Sequence, residues 1–254
     1  MHSDSKLIVN ADDLGYDISV NKAILRSFER ILVNSTSMMV NMSGFGDAVH
    51  LVQTHRFIAN KIGLHINLTE GYALTEEIRL CKRFCDPDGQ FIYKRGRLLL
   101  FLTPREKRGI YTEMKAQMDK LIGAGIQPIH LDSHHHIHTE WAVLHLLTRL
   151  GKEYGIQRIR LTRNMGLLTN APRKIYKLFF NGYLRHASGV IGTDYFGDVE
   201  DFSALRKKGP TGDKSIEIMV HPSFNDKGEL VDYDMRNLQE KLQFLFAPSH
   251  TSVY

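Results

Sequence analysis

The chain has 254 residues, 43% of them hydrophobic and 24% charged, which is ordinary for a globular protein with one large core. No run approaches the roughly 18 apolar residues that cross a bilayer, and the first residues lack the segments of a secretion signal. We therefore expect a cytoplasmic protein with no membrane partner. The net charge of +5 admits acidic ligands, but the basic residues are scattered and not interleaved with aromatic ones, which disfavours nucleic acid as a partner.

Short apolar segments of strand character alternate along the chain with segments whose apolar residues recur at helical spacing. The predicted strands are residues 6–10, 36–41, 61–66, 128–132, 157–161, 190–195 and 215–220. The predicted helices are residues 18–31, 46–55, 105–124, 141–154, 174–186 and 234–244. This alternation predicts an α/β fold with a parallel sheet of about seven strands. No glycine-rich phosphate loop follows any of these strands, which disfavours a dinucleotide-binding fold.

The sequence contains no linker or internal repeat, so residues 1–254 are predicted to form a single domain. A long irregular region at about residues 72–104 separates the third predicted strand from the next helix. An insertion of that size often builds a lid or an oligomer contact. Cys81 and Cys85 within it are predicted to be free thiols, because disulfides are rare in a reducing compartment.

Polar side chains follow several of the predicted strands, at the point where each apolar run ends. Asp12 and Asp13 follow the first strand, His65 lies at the end of the third, and His221 follows the last. The segment HLDSHHHIH, residues 130–138, lies at and after the fourth strand and contains five histidines. Because the carboxyl ends of parallel strands meet on one face of a barrel, we expect these side chains to converge there.

The residue types at these strand ends are those of a metal-dependent hydrolase. Two histidines and a carboxylate are a usual ligand set for a catalytic divalent metal, which polarises a carbonyl oxygen and lowers the pKa of water. A second carboxylate can then accept a proton from the water, and a further histidine can protonate a leaving amine. The sequence therefore has the parts for metal-assisted hydrolysis of an amide or ester.

Not every histidine of residues 130–138 can bind one metal ion. If the backbone stays extended, five side chains share one side of the segment: His130, Asp132, His134, His136 and His138. We expect His134 to be the ligand, Asp132 to orient an imidazole, and His136 and His138 to line the substrate pocket.

Other residues have weaker functional assignments. His130 and His135 are equally consistent with a structural role, and His135 would point away from the other side chains of its segment. Arg163 and Asp194 either bind substrate hydroxyls or form surface ion pairs. For the two aspartates after the first strand, the alternative is helix capping, in which an aspartate accepts hydrogen bonds from free backbone N–H groups.

Four motifs together resemble the YdjC-like, or ChbG-type, carbohydrate deacetylase family. They are NADDLG (residues 10–15), GLHINLTEG (residues 63–71), HLDSHHHIH (residues 130–138) and EIMVHP (residues 217–222). The motifs occur in the order of the family and span nearly the whole chain, with one departure at Leu14, where the family more often has phenylalanine. The resemblance implies a single catalytic domain built as an irregular TIM-barrel-like (β/α) barrel, and removal of acetyl groups from N-acetylated sugars.

The resemblance also implies roles for particular residues. One divalent metal ion would be held by Asp13, His65 and His134. By analogy with polysaccharide deacetylases, Asp12 would be the general base, and His221 would be the acid or would stabilise the oxyanion. The metal is magnesium in some members of the family, whereas imidazole ligands suit zinc, cobalt or manganese. The implied partners are a small N-acetylated sugar or oligosaccharide, with or without a phosphate, and by analogy a second copy of the chain in a homodimer.

The predicted function is therefore metal-dependent hydrolysis of the acetamide group of a small carbohydrate. Tyr72 and Phe91 of the insertion either stack on the sugar ring or pack on their own loop. Two alternatives stay open, namely a metal-dependent hydrolase of another bond, such as a phosphoester, and a non-catalytic protein that binds sugar or metal. Asp12 separates the second alternative from an enzyme, because simple binding gives this residue no necessary role.

Overall fold

A curled parallel sheet forms the centre of the molecule. The computed structural model describes residues 7–94, 99–166, 171–186, 189–209 and 211–246, so Lys6 of the first predicted strand and residues 95–98 of the predicted insertion lie outside the described residues. The strands of the sheet are β1 (Leu7–Leu14), β2 (Ser35–Met38), β3 (Ile62–Ile66), β4 (Leu131–Ser133), β5 (Tyr195–Gly197) and β6 (Ile216–Val220). They are hydrogen-bonded in the order β4-β3-β2-β1-β6-β5, and every neighbouring pair is parallel.

Helices connect these strands. They are α1 (Ile18–Glu29), α2 (Phe45–Thr54), α3 (Glu76–Arg79), α4 (Pro104–Gly123), α5 (Trp141–Glu153), α6 (Ala171–His186), α7 (Val199–Arg206) and α8 (Leu238–Phe246). Ala59–Lys61 and His134–Thr139 are 3₁₀ segments, and β7 (Ser223–Phe224) pairs with β8 (Leu230–Val231) in a separate antiparallel hairpin. Within the described part of the chain, no helix is both long and apolar enough to span a membrane.

Side-chain caps determine where two of the long helices begin. The Asp17 side chain accepts a hydrogen bond from the Val20 N–H at the start of α1. Thr103 and Glu106 form a reciprocal capping box at the start of α4. Such caps stabilise a helix by about 1 kcal/mol each. Because Asp17 caps α1, the capping alternative for the two aspartates after the first strand is wrong.

Single bridges extend the sheet toward a closed barrel. Leu131 of β4 pairs in parallel with Ile159, and Arg158 pairs in parallel with Ile191. These contacts lie between β4 and β5, the two edge strands of the sheet. The α/β fold with a parallel sheet is therefore confirmed, and the sheet is a curled half-barrel in which the predicted strand at residues 157–161 is present only as bridges. The described residues form six regular parallel strands rather than about seven.

The predicted strand at residues 190–195 is displaced, because β5 begins only at Tyr195. The carbonyl oxygens of Thr193 and Asp194 accept hydrogen bonds from the Arg185 guanidinium at 2.7 and 2.8 Å. A carbonyl that binds a side chain is less available to a neighbouring strand, so regular pairing starts after these residues.

The first part of the predicted insertion folds back on itself and contains α3. Tyr72 pairs with Gln90, and Cys85 pairs with Phe91, through single antiparallel bridges. Phe91 is buried, so this ring packs on its own loop and is not available to a sugar, whereas the Tyr72 side chain is exposed. Both cysteines are buried free thiols, as predicted.

One arginine occupies the polar interior of the sheet. The fully buried Arg160 side chain donates to both oxygens of Asp12 at 2.6 and 2.8 Å, and to Glu217 Oε1 at 2.6 Å. Its Nη2 also lies 2.8 Å from Asp132 Oδ2. Burial alone would disfavour the charged guanidinium, but the three carboxylates raise the pKa of Arg160 well above its ordinary value. Arg160 therefore ties together β1, β4 and β6.

Gly63 provides the space for a buried imidazole next to this network. A Cβ atom added to Gly63 would lie 2.3 Å from His130 Nε2. His130 Nδ1 lies 2.7 Å from the Arg158 guanidinium. Burial, and then the Arg158 charge, hold the pKa of His130 well below 6.5, so the ring is neutral. His130 thus fills the space between Gly63 of β3 and the Arg158 side chain, and its contacts are those of a structural residue.

Substitution of Gly63 tests this close packing. Gly63→Ala is expected to lower the free energy of unfolding by about 1–3 kcal/mol, because the added methyl group overlaps the His130 ring. The control is Gly46→Ala in α2, where an added Cβ meets no atom within 4 Å. Urea unfolding curves of the two variants provide the measurement. Equal stability of the two variants would contradict the packing described for Gly63.

Removal of the buried guanidinium is expected to destabilise the protein much more. Arg160→Met removes the guanidinium that three buried carboxylates share and should lower the free energy of unfolding by about 3–5 kcal/mol. The control is Arg163→Met. Arg163 binds Asp198 and Asp201 at a partly exposed position, so its substitution should lower the free energy of unfolding by a smaller amount. Equilibrium denaturation measures both losses. A smaller loss for Arg160→Met than for Arg163→Met would show that the network does not stabilise the sheet.

Candidate metal and catalytic site

Three polar side chains from the carboxyl ends of β1, β3 and β4 meet at one point. Asp13 Oδ1 lies 3.1 Å from His65 Nε2 and 2.8 Å from His134 Nδ1. The candidate ligand atoms of these residues all lie within 4.8 Å of one another. The structure therefore brings together the three residues predicted as metal ligands, at the face where parallel strands end.

A bulge in β1 directs two neighbouring carboxylates to the same side. The register with β2 shifts between Ala11 and Leu14, so β1 has one residue more than its partner. Asp13 has a φ of +72°, which is uncommon for a residue other than glycine. In a regular strand, Asp12 and Asp13 would point to opposite faces. Here Asp12 binds Arg160 while Asp13 contacts the two imidazoles.

The histidine segment turns after β4 instead of staying extended. His135 and His136 have positive φ values of 49° and 53°, and the Ser133 hydroxyl accepts a hydrogen bond from the His138 N–H at 2.9 Å. The expectation that one side of an extended segment continues past His134 is therefore wrong. A hydrogen bond between a serine side chain and a nearby backbone amide offers the chain a turn in place of a strand.

The other histidines of the segment have separate environments. His138 is buried, with Nδ1 2.6 Å from the Ser133 hydroxyl, so it lies behind the surface that a ligand can reach. His136 is half-buried and lies edge-on to Phe196, with ring centroids 5.9 Å apart. His135 is exposed, and its Nδ1 lies 3.1 Å from the Thr69 hydroxyl.

Asp132 connects His65 to the buried arginine. Its Oδ1 lies 2.8 Å from His65 Nδ1, and its Oδ2 accepts from the Ser37 hydroxyl and contacts Arg160. Burial opposes ionisation of Asp132, but Arg160 and His65 hold the pKa of this carboxyl well below 3.8. Burial likewise disfavours a charged imidazole, yet Asp132 and Asp13 raise the pKa of His65 to about 10. The hydrogen bond to Asp132 leaves His65 Nε2 directed at Asp13.

The donor set around Asp13 fits a catalytic divalent metal. Burial alone would raise the pKa of Asp13, but hydrogen bonds with His134 and His65 hold it well below 3.8, so the carboxylate is ionised. One carboxylate and two imidazole nitrogens are a common three-ligand set that leaves coordination positions open for water and substrate. The residues present therefore fit the metal that the resemblance implies.

Asp12 and His221 form a second pair beside these residues. His221 Nε2 lies 3.9 Å from Asp12 Oδ2, and the backbone N–H of His221 donates to Asp232 Oδ1 at 2.7 Å. The Tyr233 ring lies edge-on to the His221 ring, with centroids 5.6 Å apart, and is exposed. Among the described residues, His221 Nδ1 is buried and has no hydrogen-bond partner. The carboxylate and imidazole lie close enough for both to face one bound substrate.

Two of the weaker candidates lie in other surroundings. Arg163 donates to Asp198 and Asp201 at 2.5 and 2.8 Å, next to the start of α7, and makes no ion pair with the residues around Asp13 in the described chain. Asp194 accepts hydrogen bonds from the backbone and side chain of Ser215, which precedes β6. Asp194 therefore lies at the opposite end of β6 from His221, and its contacts indicate a structural role.

Arg160 and Glu70 are the two residues of this region whose place the sequence interpretation missed. Arg160 lies within the predicted strand at residues 157–161, between Ile159 and Leu161. A charged residue between two apolar ones in a strand is the signal that could have indicated a buried arginine. Glu70 lies in the GLHINLTEG motif, but the motif by itself indicates no contact with the histidine segment. In the structure its Oε2 lies 2.8 Å from His134 Nε2.

Known proteins are similar to this chain over most of its length. A protein of Brevibacillus brevis named carbohydrate deacetylase is 33% identical over 229 residues, which cover 89% of this chain and 84% of the relative. A protein of Halalkalibacterium halodurans with the same name is 33% identical and covers 87% of this chain and 86% of the relative. A crystal structure of a "putative cellobiose-phosphate cleavage protein" from Enterococcus faecalis V583 superposes with a TM-score of 0.67 at 25% identity, covering 87% of this chain and 82% of that one.

The family comparison agrees with these relatives and with the four motifs. The model of the YdjC-like protein family matches residues 6–251, which include every residue of the candidate site. The chain therefore belongs to the YdjC-like protein family.

Proposed function

We propose that this protein is a metal-dependent carbohydrate deacetylase that hydrolyses the acetamide group of a small N-acetylated sugar. The observation that carries the proposal is the approach of Asp13, His65 and His134 to within 4.8 Å, beside the carboxylate–imidazole pair of Asp12 and His221. The relatives named carbohydrate deacetylase support it, because each matches more than four-fifths of both chains.

Asp13, His65 and His134 would hold the metal ion. A divalent ion at this position would polarise the acetamide carbonyl and lower the pKa of water. Both magnesium and zinc are candidates, and cobalt and manganese are further ones, because imidazole nitrogens suit the transition metals while carboxylate oxygens suit magnesium.

The remaining site residues would move the protons. Asp12 accepts a proton from the water whose oxygen bonds to the carbonyl carbon, and His221 gives a proton to the sugar nitrogen as the carbon–nitrogen bond breaks. Acetate and the sugar amine are the products. The 3.9 Å between His221 Nε2 and Asp12 Oδ2 supports this pairing, because both groups then face the same reacting carbon. Arg160 acts as a positioning residue that binds both oxygens of Asp12.

The substrate would be a small N-acetylated sugar or oligosaccharide, with or without a phosphate. The exposed ring of Tyr72, in the loop that follows Gly71, is a candidate surface for stacking on a sugar ring. The name of the Enterococcus faecalis protein refers to a phosphorylated disaccharide, so phosphorylated sugars belong among the substrates to be tested. The homodimer stays a prediction of the sequence.

Phosphoester hydrolysis is the alternative that one observation favours. Glu70, His134 and His135 form a second set of three donor atoms within 4.8 Å, next to the first set. Two adjacent metal ions are common in enzymes that cleave phosphoesters. His134 belongs to both sets, however, and an imidazole shared between two ions is unusual, so deacetylation is the better-supported reaction.

A substrate screen separates the two reactions. The purified protein, loaded in turn with magnesium, zinc, cobalt and manganese, is expected to release acetate from N-acetylglucosamine oligomers and not to release phosphate from sugar phosphates. Enzymatic assays for acetate and for inorganic phosphate provide the measurement. Phosphate release without acetate release would favour the alternative, and binding of sugar without either product would indicate a non-catalytic protein.

Single substitutions separate the metal ligands from the proton acceptor. His65→Ala and His134→Ala are expected to lose bound metal, because each removes one of three ligands. Asp12→Asn should keep the metal and lower kcat by about 100-fold or more, because it removes the proton acceptor. Metal analysis and acetate release measure the two effects.

The control for these variants is His145→Ala, since His145 packs against Trp141 and Tyr183 on α5 and α6. This variant should retain both metal and activity. Full metal content in His134→Ala would refute the ligand assignment, and full activity in Asp12→Asn would refute the assignment of the base.

A further inference from the structure

We infer that Glu70 is a positioning residue that holds the His134 ring with Nδ1, rather than Nε2, toward the metal. The inference rests on the proposed metal site at Asp13, and concerns a residue outside that ligand set. His134 Nε2 lies 2.8 Å from Glu70 Oε2, and His134 Nδ1 lies 2.8 Å from Asp13 Oδ1. Both nitrogens of the ring therefore face a carboxylate.

The partner on one ring nitrogen decides which nitrogen can bind a metal. A metal-bound imidazole coordinates through one nitrogen, and the other carries a hydrogen that it donates to a nearby carboxylate or carbonyl. With Glu70 as the acceptor of the Nε2–H, the lone pair of His134 is on Nδ1. The second imidazole has the opposite arrangement, because Asp132 binds His65 Nδ1 and leaves Nε2 toward Asp13. The two histidines would thus bind one ion through different nitrogens.

The position of Glu70 is fixed by its own loop. The Tyr16 hydroxyl donates to Glu70 Oε1 at 2.9 Å, so both carboxylate oxygens are engaged. The Glu70 N–H donates to Asn67 Oδ1 at 3.1 Å, and its carbonyl oxygen accepts from Asn67 Nδ2 at 2.7 Å. Gly71 continues the turn with a φ of +70°, where a Cβ would lie 2.6 Å from the Met42 sulfur.

These contacts distinguish Glu70 from an ordinary surface ion pair. An exposed pair between flexible side chains contributes little to stability and has no fixed geometry. The Glu70 side chain is partly exposed, but its backbone and both of its carboxylate oxygens have defined partners. The carboxylate can therefore hold an imidazole in one orientation, as the acids behind metal-bound histidines do.

Zinc affinity of the full-length protein tests the inference without any sugar. We compare wild type with Glu70→Ala and Glu70→Gln, using competition with a chromogenic zinc chelator. Glu70→Ala should bind Zn²⁺ about 10–100-fold more weakly at an unchanged stoichiometry. Glu70→Gln should lose less zinc affinity than Glu70→Ala, because the side-chain oxygen of glutamine can still accept the hydrogen bond. The control is Glu76→Ala, which removes an equal charge from an exposed residue of α3 and should leave the affinity unchanged.

Nitrogen-15 NMR of the histidine rings gives a readout that a purely structural role would not change. In the zinc-loaded wild type, His134 should be metal-bound through Nδ1 and protonated on Nε2, and His65 should show the reverse. In Glu70→Ala the single Nδ1-bound state of His134 should be lost, while the His65 signals stay the same.

Three results would overturn the inference. They are coordination of His134 through Nε2 in the wild type, wild-type zinc affinity in Glu70→Ala, and complete loss of zinc in Glu70→Ala, which would make Glu70 a ligand. Failure of the proposed function is separate, because zinc binding as expected without acetate release would refute only the deacetylation. A wild-type protein that binds no zinc would refute both.

Discussion

A single buried guanidinium determines the geometry of the interior of the curled sheet. Arg160 binds Asp12, Asp132 and Glu217, which belong to β1, β4 and β6. Each buried carboxylate costs several kcal/mol to take out of water, and without a cation the three would become protonated or repel one another. A guanidinium offers five N–H donors in one plane, so it can give every one of these carboxylates a directed hydrogen bond. The relative positions of three strand ends therefore depend on one planar group.

A continuous path of polar contacts extends from this guanidinium to the candidate metal site. The contacts run in the following order: Arg160, Asp132, His65, Asp13, His134, Glu70 and Tyr16. Each carboxylate on the path lies between two nitrogen or hydroxyl groups, and each imidazole lies between two carboxylates, so acidic side chains alternate with their polar partners. The three candidate ligands are in the middle of this path and are held from both sides. Their arrangement consequently depends on the interior of the curled sheet as much as on the loops that follow its strands.

The sequence predicted which residues converge better than it predicted how the backbone brings them there. Parallel strands share one carboxyl-end face, so apolar runs that end in Asp13, His65 and His134 were enough to predict a common location. The turn after Ser133 was missed, because an extended segment and a turn fit the same residues until a local hydrogen bond decides between them. Arg160 was missed because the single bridges of residues 157–161 determine which side chains point inward, and the sequence pattern does not encode that register.

The bulge in β1 explains how two adjacent aspartates can have different chemistry. Asp12 binds a permanently charged guanidinium and lies near His221, while Asp13 contacts only imidazoles among the ionisable groups named above. The two imidazoles also differ in their second carboxylate. Asp132, which binds His65, is fully buried, whereas Glu70, which binds His134, is partly exposed. Salt screens the exposed pair more strongly than the buried one. The His65 side of the site is therefore fixed by the core, and the His134 side is fixed by a loop whose Glu70 side chain is partly exposed to solvent.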